Sequence, residues 1–286
     1  MPKNKFTIFK EAETSELKNF RNLSPTNRVK YLKQKTNFLE EDLLPITSSL
    51  GLSLETANAM VENVIGTFQM PLGIATNFLI NRKNYMIPMA IEEPSVIAAA
   101  SNMAKIVRKS GGFITSSTEP VMRAQIQLLD LPDLEASKGL LLRSQSDIIS
   151  LANSQDKKLI SLGGGCKSIE IHTFFKTIAG PMMVVHLLVD VRDAMGANTV
   201  NTMAEAVSPL LEKLTGGRAK LKILSNFADL RLAKAEVNIP FSDLNFKKFS
   251  GETVAQGIVE AYALATVDPY RAATHNKGII NGIDPL

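Results

Sequence analysis

Ser168-Ile-Glu-Ile-His-Thr-Phe174 and Met182-Met-Val-Val-His-Leu-Leu-Val-Asp-Val191 lie seven residues apart. In the first, Ile169, Ile171 and Thr173 alternate with Glu170 and His172, the period of a half-buried strand. The second is apolar almost throughout and reads as a buried strand. Working outward, residues 134–153 read as a helix and 122–130 as a strand before it. On the other side, Asn198 to Leu214 reads as a helix, kinked at Pro209 and stopped by Gly216-Gly217, and 219–225 as a strand. The order is β-α-β-β-α-β, the split-βαβ or ferredoxin-like arrangement. A module over 120–225 therefore interrupts the chain, and its flanks, 1–119 and 226–286, belong together as a second, larger domain. The fold class is α+β, with no internal repeat and no low-complexity linker.

The flanks carry their own signals. Ser24-Pro25 reads as N-cap and first position of a helix to about Lys35. Ser53 caps a second helix with Leu54, Ala57, Val61, Val64 and Ile65 on its apolar face. Residues 77–81 and 85–91 form a hairpin about Arg82-Lys83. Glu92-Glu93-Pro94-Ser95 precedes an Ala-rich helix, with Pro94 in its first turn and Gly111-Gly112 at its C-cap. Residues 234–239 read as a strand and 251–267 as a helix ended by Pro269. Tyr270 to Leu286 is a dense polar cluster.

Several function classes are disfavoured. The start, MPKNKFTIFK, has no apolar h-region, and the run Met182–Val191 is too short and too polar to span a bilayer. A cytoplasmic protein with no membrane partner is expected. Cys166 is the only cysteine, so no internal disulfide forms. With the three histidines it gives no convincing metal spacing. The first forty residues hold nine Lys or Arg against four Glu. They read as a solvated helical face, or as a site for an anionic ligand such as a nucleotide phosphate. Without interleaved aromatics, nucleic acid is not the expected partner.

Four constellations have chemical potential. Glu92-Glu93 complements a helix dipole. A proton-donor role would need one of the two buried, with a raised pKa. Arg271-Ala-Ala-Thr-His-Asn-Lys-Gly278, with Asn281, offers a guanidinium fork for a carboxylate and an ammonium for an oxyanion; a solvated loop or helix start explains it equally well. Asp193-Ala-Met-Gly-Ala-Asn198 is a strand-to-helix turn of small residues, fit for phosphate or simply capped by Asn198. Gly163-Gly-Gly-Cys166 is a tight turn. No segment matches GxGxxG, so a Rossmann site is not indicated. Cys166 reads as a buried structural thiol rather than a nucleophile.

Together these segments resemble the class II hydroxymethylglutaryl-coenzyme A (HMG-CoA) reductases over the whole chain. The resemblance rests on Glu62-Asn-Val-Ile-Gly66, Glu92-Glu-Pro-Ser-Val96, Gly163-Gly-Gly-Cys166, Asp190-Val-Arg-Asp-Ala-Met-Gly-Ala-Asn198, Ile223-Leu-Ser-Asn226 and Arg271-Ala-Ala-Thr-His-Asn-Lys-Gly278, in that order. It implies an oxidoreductase of isoprenoid metabolism that interconverts HMG-CoA with mevalonate and coenzyme A by two hydride transfers. It also implies a large substrate domain carrying an inserted ferredoxin-like, non-Rossmann cofactor domain. Glu93 would be the acid near the thioester carbonyl and Lys277 the stabiliser of the oxyanion. Ser95, Arg271 and Asn281 would hold the HMG moiety, Asn226 would lie where substrate meets cofactor, and Arg21 would contact coenzyme A. Asp193, Met195 and Gly196 would border the cofactor. Asp156 matches an acidic residue that holds the adenosine ribose; a carboxylate there repels a 2′-phosphate, so NAD is expected over NADP. Glu62–Gly66 falls in the family's dimer interface, implying a homodimer or larger homo-oligomer. The family continues past Gly282-Ile-Asp-Pro-Leu286 to a catalytic Asp and a flap bearing a catalytic His. The chain is therefore expected to be truncated at its C-terminus and to have very low activity alone. The alternative is a fragment, or half of a split enzyme, that retains nucleotide or coenzyme A binding.

Overall fold

A computed structural model of the chain describes residues 14–36, 38–47 and 51–286. The chain divides into two compact units, residues 1–115 with 235–286, and residues 116–234.

In the first unit, α1 (Pro25–Lys35) starts as its sequence dictates: Pro25 occupies the first turn and the Ser24 hydroxyl accepts the Asn27 N–H at 3.4 Å. Helix α2 (Glu40–Thr47), not expected from the sequence, opens on an acidic turn that includes Glu41 and Asp42, which complement the helix dipole. Helix α3 (Leu54–Met60) is capped by Ser53, which accepts the Thr56 N–H at 3.1 Å. It is shorter than its apolar spacing predicts: Val61 is extended, Asn63 is left-handed, and Val64 and Ile65 lie off the helix. Three β-branched residues in five, followed by Gly66, favour extended backbone over another turn. The hairpin of β1 (Leu72–Ile80) and β2 (Lys83–Ala90) turns at Asn81-Arg82 rather than Arg82-Lys83. Both turn residues have positive φ, 48° and 67°, the two-residue geometry that matches strand twist. Helix α4 (Val96–Lys109) buries Ala104 and Val107 and packs on β1, where the Ser101 hydroxyl accepts the Thr76 N–H at 3.0 Å. Pro94 stands before the N-cap, Ser95, not inside the first turn. Strand β3 (Ile114–Ser117) leads onward.

The second unit runs β4 (Val121–Leu129), α5 (Leu134–Arg143), α6 (Gln145–Asn153), α7 (Lys157–Ser161), β5 (Gly165–Phe174), β6 (Met182–Asp190), α8 (Ala197–Thr215) and β7 (Arg218–Leu224). The single helix expected over 134–153 is two, broken at Ser144, which ends α5 and begins α6. Ser144 leaves the helical backbone at φ −94° and ψ 12°, and its side chain makes no cap hydrogen bond. The sheet order is β5-β6-β4-β7, antiparallel throughout. Ile126, Leu128, Val185 and Leu187 form its core face, and Leu141, Ile148, Met203, Val207 and Leu211 from the helices close over it. Burying each such side chain contributes about 1.5–3 kcal/mol. Pro209 sits within α8 without ending it, and Gly216, at φ 70°, stops it.

Strand β8 (Ala233–Glu236) pairs with β3, so the two connecting strands are joined to each other. Then come α9 (Phe241–Leu244), α10 (Gly251–Val267) and α11 (Pro269–Ile283). The polar cluster after Pro269 is thus a helix: the Asp268 carboxylate accepts the N–H groups of Tyr270 and Arg271, and Pro269 begins α11 rather than merely ending α10. Among the described residues no helix is long and apolar enough to cross a membrane.

Candidate active site

In the first unit the fold joins two segments nearly two hundred positions apart. The Lys277 ammonium donates to Glu93 Oε2 at 2.6 Å, and the Asn281 amide donates to the same oxygen at 2.9 Å. Lys277 and Asn281 are four apart on α11, so one helix face presents both donors. The Pro285 carbonyl accepts the Ala90 N–H at 3.0 Å, tying the end of α11 to the strand that leads to Glu93.

The Lys277 hydrogen bond holds the Glu93 carboxyl below its ordinary 4.5; the Lys277 charge and the Asn281 amide add to this against a desolvation that opposes it. The proton-donor reading required a buried Glu with a raised pKa. The structure shows the reverse: Glu93 is 44 % exposed and its pKa is lowered. Two residues on, Ser95 is left-handed at φ 75°, with no side-chain cap bond. Such a conformation costs a non-glycine residue on the order of 1–3 kcal/mol.

Glu93 and Ser95 line a broad cleft with Arg21, Arg28, Lys30 and Lys33. Of the basic N-terminal segment, these four residues line the cleft, and residues 1–13 lie outside the described ones. Arg28 helps shape it, donating to the Arg21 and Phe20 carbonyls. Arg271 is not brought to Glu93. It is exposed, and among the described residues it forms no ion pair.

In the second unit three separated segments meet. The Asp156 carboxylate caps α7, accepting the Leu159 N–H at 2.8 Å, and its other oxygen accepts from the Thr199 hydroxyl, in the first turn of α8, at 3.3 Å. Arg192, left-handed at φ 53°, donates to the Gly163 carbonyl and pairs with buried Asp190 at 3.2 Å. The glycine turn at 163–165 and the turn 190–198 are thus held together. The N-cap of α8 is Gly196, not Asn198, and no side chain caps its first turn. A Cβ on Gly196 would stand 2.6 Å from Met122 Sδ and 2.8 Å from Val191 Cγ1. Asp193 and Met195 are exposed beside it. Asn226 is exposed in the bend after β7.

Sequence reasoning missed Asp190, Arg192 and Thr199, which join the turns, and Arg123, which donates to Glu170 and, at 3.0 Å, to both oxygens of Asp229. Apart from the local Asp190–Arg192 pair, these contacts join segments 29 to 106 positions apart, and no local pattern announces them.

The hydroxymethylglutaryl-coenzyme A reductase family profile matches residues 24–286. A 3-hydroxy-3-methylglutaryl-coenzyme A reductase of Archaeoglobus fulgidus is 50 % identical over 277 residues, covering 97 % of this chain and 62 % of the relative. A probable reductase of Borreliella burgdorferi is 31 % identical over 229 residues, covering 78 % of this chain and 50 % of its own length. The chain thus spans between half and two thirds of these relatives. Among solved structures, the reductase of Streptococcus pneumoniae matches with a TM-score of 0.89 at 35 % identity, over 94 % of this chain and 72 % of that one. A class II reductase structure from the same organism, bound to NADPH in open conformations, matches with a TM-score of 0.89 at 34 % identity. With a family profile over nearly its whole length and close agreement in fold, this chain belongs to the hydroxymethylglutaryl-coenzyme A reductase family.

Proposed function

We propose that this chain carries the substrate- and cofactor-binding parts of a cytoplasmic HMG-CoA reductase. It would interconvert HMG-CoA with mevalonate and coenzyme A by two hydride transfers. The observation that carries the reading is the Glu93–Lys277–Asn281 cluster at 2.6 and 2.9 Å. An ammonium beside an acid is what reduction of a thioester carbonyl needs. Lys277 supports the negative charge that develops on oxygen, and Glu93 relays a proton to it. In the resting pair Glu93 is ionised. Substrate must therefore draw Lys277 onto its carbonyl, which removes the main cause of the lowered pKa and readies Glu93 to take up a proton.

Ser95, Asn281 and Arg271 hold the HMG moiety in this reading, with Arg271 free to pair its carboxylate. Arg21 meets the coenzyme A phosphates in the basic cleft. Residues 1–119 with 226–286 act as the large substrate domain and 120–225 as the cofactor domain. The antiparallel order β5-β6-β4-β7 of the latter supports a ferredoxin-like, non-Rossmann unit. The residues there fit a dinucleotide: the first turn of α8 has uncapped N–H groups, which suit a pyrophosphate. The cofactor supplies the hydride. Asp193, Met195 and Gly196 border it, and Asn226 contacts the substrate. Asp156 receives the ribose diol and disfavours a 2′-phosphate, so NAD is preferred over NADP. A homodimer through Glu62–Gly66 is supported by the full exposure of Ile65 and the 88 % exposure of Phe68 nearby.

Calorimetric titration with HMG-CoA, NAD and NADP, alongside a mevalonate- and coenzyme A-dependent NAD-reduction assay, tests this. NAD should bind more tightly than NADP, and Arg21→Ala should weaken HMG-CoA binding. Absence of binding by both HMG-CoA and either dinucleotide refutes the reading. Binding without turnover supports a second reading, a ligand-binding piece of the enzyme.

A further inference from the structure

The β5-β6-β4-β7 sheet has a polar face opposite its core, and cross-strand register gathers a distinct set of groups there. Glu170 on β5 is paired directly with His186 on β6, and His186 in turn with Gln125 on β4. His172 lies two residues beyond Glu170 on the same face. The His172 Nε2 stands 3.5 Å and the His186 Nδ1 3.9 Å from Glu170 Oε2. One donor atom from each of the three residues lies within 4.8 Å of the others. The imidazole rings are 4.6 Å apart and tilted by 50°. His186 Nδ1 is buried with no hydrogen-bond partner among the described residues, a costly position for a ring nitrogen that nothing satisfies.

We propose that Glu170, His172 and His186 form a site for one divalent transition-metal ion of the zinc class, separate from the candidate catalytic residues. Two imidazoles and one carboxylate are the donor set that zinc takes, with a fourth position left for water. The same set discriminates against magnesium and calcium, which prefer oxygen. Ligands at roughly 2.0–2.1 Å around a tetrahedral ion are roughly 3.3 Å apart. The cluster therefore needs to close by at most about 1.5 Å from its 4.8 Å limit.

The surroundings serve this chemistry. Gln125 Nε2 lies 3.1 Å from His186 Nε2. With its amide turned over, Gln125 accepts an Nε2–H, which leaves the Nδ1 lone pair free for metal, as an outer partner of a ligating histidine does. Arg123 competes for Glu170, but it also holds both oxygens of Asp229 at 3.0 Å. It keeps a counter-charge when Glu170 turns to the ion. Bound metal would tie the edge strand β5 to β6.

The test uses the full chain stripped by chelator dialysis. Zinc and magnesium are titrated by calorimetry, metal content is measured after gel filtration, and cobalt replaces zinc for visible spectroscopy. One zinc per chain should bind, magnesium should not, and cobalt should give tetrahedral d–d bands without thiolate charge transfer. His172 is 45 % exposed, so His172→Ala should fold, which circular dichroism checks. It should weaken zinc binding at least tenfold and abolish the zinc-dependent rise in melting temperature. Gln125→Leu should weaken binding about 10–100-fold. Failure to retain zinc at one per chain, or equal zinc affinity in wild type and His172→Ala, overturns the proposal.

Discussion

Gly196→Ala is the sharpest probe of how the second unit is built. The substitution has two separable costs. Gly196 has φ 96°, and a left-handed backbone costs an L-residue about 1–2 kcal/mol. The added methyl would stand 2.6 Å from Met122 Sδ and 2.8 Å from Val191 Cγ1. Val191 is fully buried and cannot swing away; overpacking of this kind costs about 1–3 kcal/mol. The sum is about 2–5 kcal/mol, a large share of the ~5–15 kcal/mol that holds a typical domain. Gly180→Ala is the internal control: its φ is 84°, but nothing lies within 4 Å of the new methyl. It should lose only the backbone cost, about 1–2 kcal/mol. Urea unfolding followed by circular dichroism measures both, since the chain has no tryptophan. Equal losses in the two variants would refute the packing argument.

Other outcomes follow from the same structure. Asp156→Ala removes the cap of α7 and should cost about 0.5–2 kcal/mol in urea; if Asp156 also holds the ribose, calorimetry should show NAD binding weakened more than NADP binding. Glu93 has a folded pKa below 4.5, so its contribution to stability is present above pH 4.5 and disappears as pH falls through the lower folded value. Lys277→Met should return the carboxyl toward 4.5, read by carbon-13 NMR titration; an unchanged titration would contradict the 2.6 Å pair. Burial pushes the Cys166 thiol up to about 11, leaving about one thiol in a thousand ionised at pH 8. Cys166 should resist alkylation in the folded protein and react promptly in denaturant.

Much of the second unit was legible because its signals are local. The alternation of 168–174, the apolar run of 182–191 and the paired glycines at 216–217 each act within a few residues, and the elements fall where they do. The misreadings arose where two local rules conflict. Val61, Val64 and Ile65 satisfy helical spacing, yet branched side chains draw the backbone into extension. Pro269 stops one helix and starts the next, and reading only its first role hid α11.

The candidate site divides in the same way. Residue types were visible beforehand: an acid before a helix, a lysine and an asparagine four apart, a turn of small residues. Their partners were not. Lys277 meets Glu93 only because α11 returns to the end of β2, 184 positions away. Once there, it lowers the very pKa that a proton donor was expected to have raised. Likewise, Glu170, His172 and His186 have no metal-ligand spacing along the chain. Antiparallel register sets Glu170 opposite His186. The sequence by itself determined the strands and the long helix of the second unit, their order and the family, since propensity, capping and hydrophobic period act between near neighbours. Only the tertiary structure decided which charges share an oxygen and which ring nitrogen is left unpaired, because those depend on distances that chain position does not constrain.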